Sequence, residues 1–87
     1  MPSSQVQLSI SCAGLVNMDQ GSLSDPFVVL KRKEPRGGAW VEVARTEIVA
    51  NNLNPAWAKL ITVDYMFEEV QYLRFEVYDA GTAVMAI

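Results

Sequence analysis

Hydrophobic and polar residues alternate along most of this 87-residue chain, which is the pattern of β-strands with one buried face. Clusters of Gly, Pro, Asn, Asp and Ser interrupt the alternation and are typical of loops and turns. Periodicity of the helical kind is scarce. The pattern predicts five strands, at residues 5–11, from Pro26 onward, and at 40–48, 58–65 and 71–78.

The turn signals also predict how the strands connect. Residues 33–38 contain Pro35 and two glycines, so the second and third strands are expected to form a hairpin. In the fifth strand Leu73, Phe75 and Val77 are expected to face inward. Five short strands separated by turns are typical of an antiparallel sandwich or barrel, so we predict an all-β fold.

The composition agrees with a small packed domain. The chain is 51% hydrophobic, with 7 Lys or Arg against 10 Asp or Glu, which argues against disorder. A net charge of −3 does not favour nucleic-acid binding. Histidine is absent and no nucleophile motif is present, so we do not expect an enzyme. The single cysteine, Cys12, is expected to be a small buried residue in a reducing compartment.

Three aspartates occur in turn-like segments. Asp19 and Asp25 lie six residues apart in a loop rich in Gly and Ser, and Asp79 follows the fifth strand. Calcium prefers six to eight oxygen ligands, and a flexible acidic loop suits that requirement. Aspartate is also a common turn-forming residue, so both interpretations remain open on spacing alone.

The sequence Asn54-Pro55-Ala56-Trp57 predicts a turn followed by a buried aromatic anchor. Pro55 restricts Asn54 to extended conformations, and Trp57 offers a large apolar surface for burial. This motif gives information on the fold rather than on the function.

Basic residues are concentrated around the predicted hairpin, at Lys31, Arg32, Lys33 and Arg36. Such a cluster can attract anionic lipid, or it can protect an exposed edge strand from aggregation. Alternation is expected to send Arg32 to the face opposite to that of Lys31 and Lys33. Met18, next to Asp19, is a candidate for insertion at a lipid interface or for local packing.

The order of these motifs resembles that of a C2 domain: a strand, an Asp-x5-Asp-Pro loop, a basic strand, Asn-Pro-x-Trp, and a strand ending in Phe-x-Val-Tyr-Asp. The runs LSISCAGL at 8–15, RTE at 45–47 and FEEVQYLRFEVYD at 67–79 are more specifically similar to the first C2 domain of the copine family. The similarity covers about residues 5–79.

The resemblance implies an eight-stranded antiparallel β-sandwich of Greek-key type, whose loops at one end bind calcium and then anionic phospholipid. It implies a cytoplasmic module that is recruited to the plasma membrane when calcium rises. The implied calcium ligands are Asp19, Asp25, Asp79 and the backbone carbonyls of Met18 and Ala80. The implied lipid-binding residues are Lys31, Lys33, Arg36 and Met18.

The chain also departs from the family pattern. Gly81 stands where the third loop has a further aspartate, and Ile87 stands where a later one is expected. We therefore expect a partial domain at residues 1–79 with five of eight strands, a non-matching apolar tail at 80–87, and a C-terminally truncated product. With fewer anionic ligands, calcium affinity is expected to be weak. A calcium-independent protein-interaction module is the alternative function.

Overall fold

The protein was studied as a computed structural model, which describes residues 4–15, 25–66 and 69–80. The described residues form an all-β fold of five strands in two sheets, as the alternation predicted. The strands are β1 (Ser4–Leu8), β2 (Pro26–Lys33), β3 (Trp40–Arg45), β4 (Ile61–Tyr65) and β5 (Leu73–Asp79).

The larger sheet has the order β3-β2-β5, and both pairings are antiparallel. β2 occupies the centre because its first half is apolar on both faces: Val28, Val29 and Leu30 are all buried. The predicted hairpin between β2 and β3 is confirmed, and it contains one bulge between Leu30 and Lys31. Against β5, the register runs from Pro26 paired with Asp79 to Arg32 paired with Leu73.

The smaller sheet pairs β1 with β4 in antiparallel register. Beyond β1 the pairing continues irregularly with the segment that precedes β4. The Trp57 amide donates to the Ile10 carbonyl at 3.0 Å, and the Cys12 amide donates to the Pro55 carbonyl at 2.9 Å. These bonds bring the Asn-Pro-x-Trp segment against the end of the first strand.

The core lies between the larger sheet and the segments that follow β1 and precede β4, and Trp57 lies within it with only 3% of its surface exposed. Its indole Nε1–H donates to the Pro26 carbonyl at 3.1 Å, so one side chain joins the segment before β4 to the central strand of the larger sheet. The prediction of a turn followed by a buried anchor is confirmed. The buried cluster consists of Leu15, Val28, Trp57 and Val77.

Four strands, β1, β3, β4 and β5, are shorter than predicted, and side chains explain one end each of β3 and β4. β3 ends at Arg45 because Thr46 both accepts the Val28 amide on its Oγ1 at 2.9 Å and donates its own amide to the Val28 carbonyl. β4 begins at Ile61 rather than at residue 58, since the Ala58 and Lys59 amides donate to the Glu47 carboxylate at 2.7 and 3.3 Å. In both places a side chain accepts the backbone amides that a strand partner would otherwise bind.

The predicted inward face of β5 is only partly covered. Val77 is buried, whereas Leu73 and Phe75 are 38% and 42% exposed. Phe75 and Val77 line an open, mainly apolar cavity of about 360 Å³ together with Cys12. Cys12 is half-buried against the core, and burial raises the pKa of its thiol. Both observations favour a packing role for this cysteine over a reactive one.

We expect Trp57→Phe to lower the free energy of unfolding by about 1–3 kcal/mol, because the core loses volume and the buried Pro26 carbonyl keeps only the Val49 amide of its two donors. The matched control is Trp40→Phe, which changes an exposed indole and is expected to cost less than about 0.5 kcal/mol. Urea denaturation followed by circular dichroism measures both. Equal effects of the two substitutions would contradict the anchor role of Trp57.

Candidate functional site

Two of the predicted calcium ligands meet at one end of the larger sheet. Asp25 directly precedes β2 and Asp79 ends β5, and the antiparallel register of these strands makes the two residues neighbours. The Asp25 amide donates to Asp79 Oδ1 at 3.1 Å, and the Ala80 amide donates to the Asp25 carbonyl at 3.0 Å. Residues 54 positions apart in sequence therefore form one compact acidic site.

Backbone amides hold both carboxylates in position. Asp25 Oδ1 accepts the Asn51 amide at 2.7 Å, and Asn51 adopts a left-handed conformation with φ of 51° in the turn that makes this contact. Asp79 is buried, with 2% of its surface exposed, whereas Asp25 is half-buried. We call Asp25, Asp79 and Ala80 the acidic end of the molecule.

The acidic end offers carboxylate oxygens, which are the hard donors that calcium prefers. Two carboxylates supply fewer than the six to eight oxygens of a full calcium shell. In residues 4–15, 25–66 and 69–80, no group of three or more acidic, His or Cys residues could hold a metal ion. Asp19 and Met18 lie outside the described residues.

The predicted basic residues lie on different faces of the hairpin. Lys31 and Lys33 project from the outer face of the larger sheet, as their contacts with Glu76 and Tyr72 show. Arg32 lies opposite Leu73 in the β2–β5 register, so it shares the face of Leu73 rather than that of Lys31 and Lys33, as the alternation predicted. Arg36 lies in the turn between β2 and β3 and is exposed.

Glu76 is the centre of the charges on this outer face. Its Oε1 accepts a hydrogen bond from the Tyr78 hydroxyl at 2.7 Å and lies 2.9 Å from Lys31 Nζ. Its Oε2 lies 3.0 Å from Arg74 Nε. The Tyr78 hydroxyl and then the Lys31 ammonium hold the pKa of Glu76 below its usual range, and the hydrogen bond to Glu76 raises the pKa of Lys31.

Several cations on the outer face of the larger sheet lie over aromatic rings. Lys33, Arg74 and Arg45 each lie 5.5–5.8 Å from the centre of an aromatic ring. Sequence reasoning about the basic cluster missed Arg45 and Arg74, which come from β3 and β5. The alternation of β5 predicts that Arg74 faces outward, but it does not predict which residues Arg74 contacts. We call this surface the outer basic face; it comprises Lys31, Lys33, Arg45, Arg74, Phe27, Trp40, Tyr72, Tyr78 and Glu76.

The described part of the chain contains no helix that is long and apolar enough to cross a membrane.

A family model of the C2 domain matches residues 5–85 of this chain. The match covers nearly the whole sequence, and the chain belongs to the C2 domain family. C2 domains are generally binding modules rather than catalysts, and they commonly bind calcium, phospholipid membranes or proteins. The sandwich, the acidic end and the outer basic face are thus parts of a binding domain.

The charges around Glu76 predict how the stability of the fold depends on pH. Because its pKa is lower in the folded state, ionised Glu76 stabilises the fold above its unfolded pKa of about 4.5, and this contribution is lost as the pH falls through the folded value. We expect the difference in unfolding free energy between the native chain and Glu76→Gln to be larger at pH 7 than at pH 3. Denaturant titrations at both pH values measure it.

Glu69→Gln is the matched control for this experiment, since it removes the same charge from an exposed side chain. Exposed ion pairs are screened by solvent, so the effect of Glu76 is expected to be modest. A difference for Glu76→Gln that stays constant between pH 3 and pH 7 would contradict the proposed stabilisation by ionised Glu76.

Proposed function

We propose that this chain binds anionic phospholipid membranes in a calcium-dependent manner, as a C2 domain of the copine type. The observation that carries the proposal is the meeting of Asp25 and Asp79 at one end of the sheet, at a distance set by a 3.1 Å hydrogen bond. The similarity of residues 8–15, 45–47 and 67–79 to the first copine C2 domain supports the finer assignment.

The carboxylates of Asp25 and Asp79 would hold the calcium ion, and Asp19 and the backbone carbonyls of Met18 and Ala80 are the further proposed ligands. Two neighbouring carboxylates repel each other, and backbone amide donors only partly offset that repulsion. Calcium, when bound, supplies positive charge at this acidic end, where anionic headgroups would otherwise be repelled. Gly81 in place of an aspartate leads us to expect a weak site.

The outer basic face is the proposed lipid-facing surface besides the acidic end. Lys33 and Arg36 are exposed and can approach a headgroup layer. Lys31 is ion-paired with Glu76, so its charge is less available to lipid than the sequence alone suggests. Arg74 also pairs with Glu76, but its side chain is 54% exposed, so it adds a cation that the basic cluster of the sequence does not include. Met18 remains part of the proposal as a lipid-inserting residue.

This function implies a location. We propose that the chain is cytoplasmic and becomes peripheral to the plasma membrane when calcium rises. The proposal rests on the copine resemblance and on the need for calcium at the acidic end.

Sedimentation with vesicles of phosphatidylcholine and phosphatidylserine tests the function. We expect the purified chain to sediment with vesicles in calcium and much less in a chelator. Asp25→Asn and Asp79→Asn should each reduce the calcium-dependent fraction several-fold. The amide keeps an oxygen that accepts the neighbouring backbone N–H, so the fold is expected to persist.

Asp64→Asn is the matched control. Asp64 lies on β4, beside a groove that Arg32 and Leu73 also line. Arg32 and Leu73 pair at the end of β2 and β5 that is opposite to the acidic end, so Asp64 is distant from Asp25 and Asp79. It removes the same charge and should leave vesicle binding unchanged. Calcium-dependent binding that survives both Asp25→Asn and Asp79→Asn would overturn the assignment of these ligands.

The second candidate is a calcium-independent protein-interaction module. The outer basic face favours it, because cations interleaved with the exposed rings of Trp40 and Tyr72 suit an acidic protein surface. The same sedimentation experiment separates the two functions. A folded chain that does not bind vesicles either with or without calcium would favour the protein-interaction module.

A further inference from the structure

β5 is the edge of the larger sheet in the part of the chain that the structure describes, where β2 is its one strand partner. The hydrogen bonds at its two ends show which residues of β5 bond to β2: the Lys33 amide donates to the Tyr72 carbonyl, and the Ala80 amide donates to the Asp25 carbonyl. In an antiparallel pair the backbone groups alternate in direction. The even-numbered residues of β5 therefore bond to β2, and the backbone of the odd-numbered ones points to the other edge.

The odd-numbered residues also carry the uncovered apolar side chains. Leu73 and Phe75 are 38% and 42% exposed, and Phe75 borders the open cavity beside Val28. An edge strand that presents unpaired backbone groups and apolar side chains is a template for pairing with another strand. No proline interrupts this strand.

We propose that two copies of this chain pair through their β5 strands, antiparallel and about a two-fold axis that passes through Phe75. The pairing joins the two larger sheets into one continuous sheet. It is an isologous contact, in which each copy uses the same surface and the interface closes on itself.

Charge selects this register among the possible ones. With the axis at Phe75, Arg74 of each copy lies opposite the partner's Glu76, so two opposite-charge pairs form. An axis at Glu76 sets two carboxylates against each other, and an axis at Arg74 sets two guanidinium groups against each other. Like charges directly opposite each other destabilise a pair of strands, whereas opposite charges stabilise it.

The direction of the backbone N–H and C=O groups along β5 fits the same register. An axis at Phe75 pairs odd-numbered residues with odd-numbered ones: Phe75 with the partner's Phe75, and Leu73 with the partner's Val77. Since their backbone groups point away from β2, these are the pairs that exchange two hydrogen bonds each. The pair of Arg74 and the partner's Glu76 is then of the non-hydrogen-bonded kind, in which side chains approach most closely.

The apolar side chains gain from the same arrangement. Leu73, Phe75 and Val77 share one face of β5, so the two copies bring their apolar residues together on one face of the joined sheet. The exposed ring of Phe75 lies against that of the partner's Phe75 at the axis. Aromatic and aliphatic cross-strand pairs of this kind stabilise an antiparallel ladder.

Sedimentation velocity of the full chain in calcium-free buffer tests the proposal. We expect the mass to rise with concentration from 9.6 kDa toward twice that value. Arg74→Glu sets two carboxylates against each other in each cross-strand pair, and Glu76→Arg sets two guanidinium groups against each other. Each variant alone should therefore be monomeric. An equimolar mixture should dimerise, because every cross-strand pair then joins opposite charges.

Lys59→Glu is the matched control. It reverses a charge on an exposed residue outside β5 and should leave the native dimerisation unchanged. A native chain that stays monomeric up to several hundred micromolar would overturn the proposal. So would single variants that dimerise as the native chain does, or folded single variants whose mixture remains monomeric.

Hydrogen exchange of the native chain provides a second test that does not depend on the folding of any variant. The amides of Leu73, Phe75 and Val77 should exchange several-fold more slowly at high than at low protein concentration. Protection of these amides that is independent of concentration would mean that another part of the same chain covers the edge, and it would overturn pairing between copies.

Discussion

The pairing of β2 with β3 on one side and β5 on the other is the constraint on which the structure depends. β2 is buried on both faces in its first half, and its Pro26 carbonyl accepts the indole N–H of Trp57 from the segment that precedes β4. The register with β5 brings Asp25 to Asp79 and Lys31 to Glu76. A one-residue slip would break both contacts and expose the core face. Core packing and the candidate site therefore share one cause.

The two charged regions of the protein lie at different positions along the same strand. β2 has 8 residues and rises about 3.3 Å per residue, so Asp25 and Lys33 are separated by roughly 26 Å. This distance exceeds the Debye length of about 8 Å at physiological salt. Lys33 therefore does little to reduce the repulsion between Asp25 and Asp79.

Much of the fold follows from local patterns in the sequence. Alternation predicts the five strands, and the apolar run after Pro26 marks the strand that becomes central. The Asn-Pro-x-Trp motif predicts the buried anchor at Trp57. The ends of β3 and β4 did not follow, because the Thr46 hydroxyl and the Glu47 carboxylate bond to backbone groups distant in sequence. Propensity gives no information on such bonds.

The candidate site was predictable to a smaller extent. Asp25 and Asp79 could be named from the resemblance, but their contact depends on the β2–β5 register, which periodicity does not give. The pairing of Lys31 with Glu76 likewise needs the register, so the basic cluster seemed more available to lipid than it is. The roles of Asp19 and Met18 and the domain boundary at residue 79 stay predictions.

A calcium titration followed by the backbone amide resonances of the ¹⁵N-labelled chain tests the central claim most directly. If Asp25 and Asp79 hold the ion, the largest shift changes should occur at the amides of Asp25, Asn51 and Ala80, whose hydrogen bonds involve these two aspartates. Residues at the far end of β2 should change little. Shifts that are absent at millimolar calcium, or that are confined to other parts of the molecule, would contradict the account.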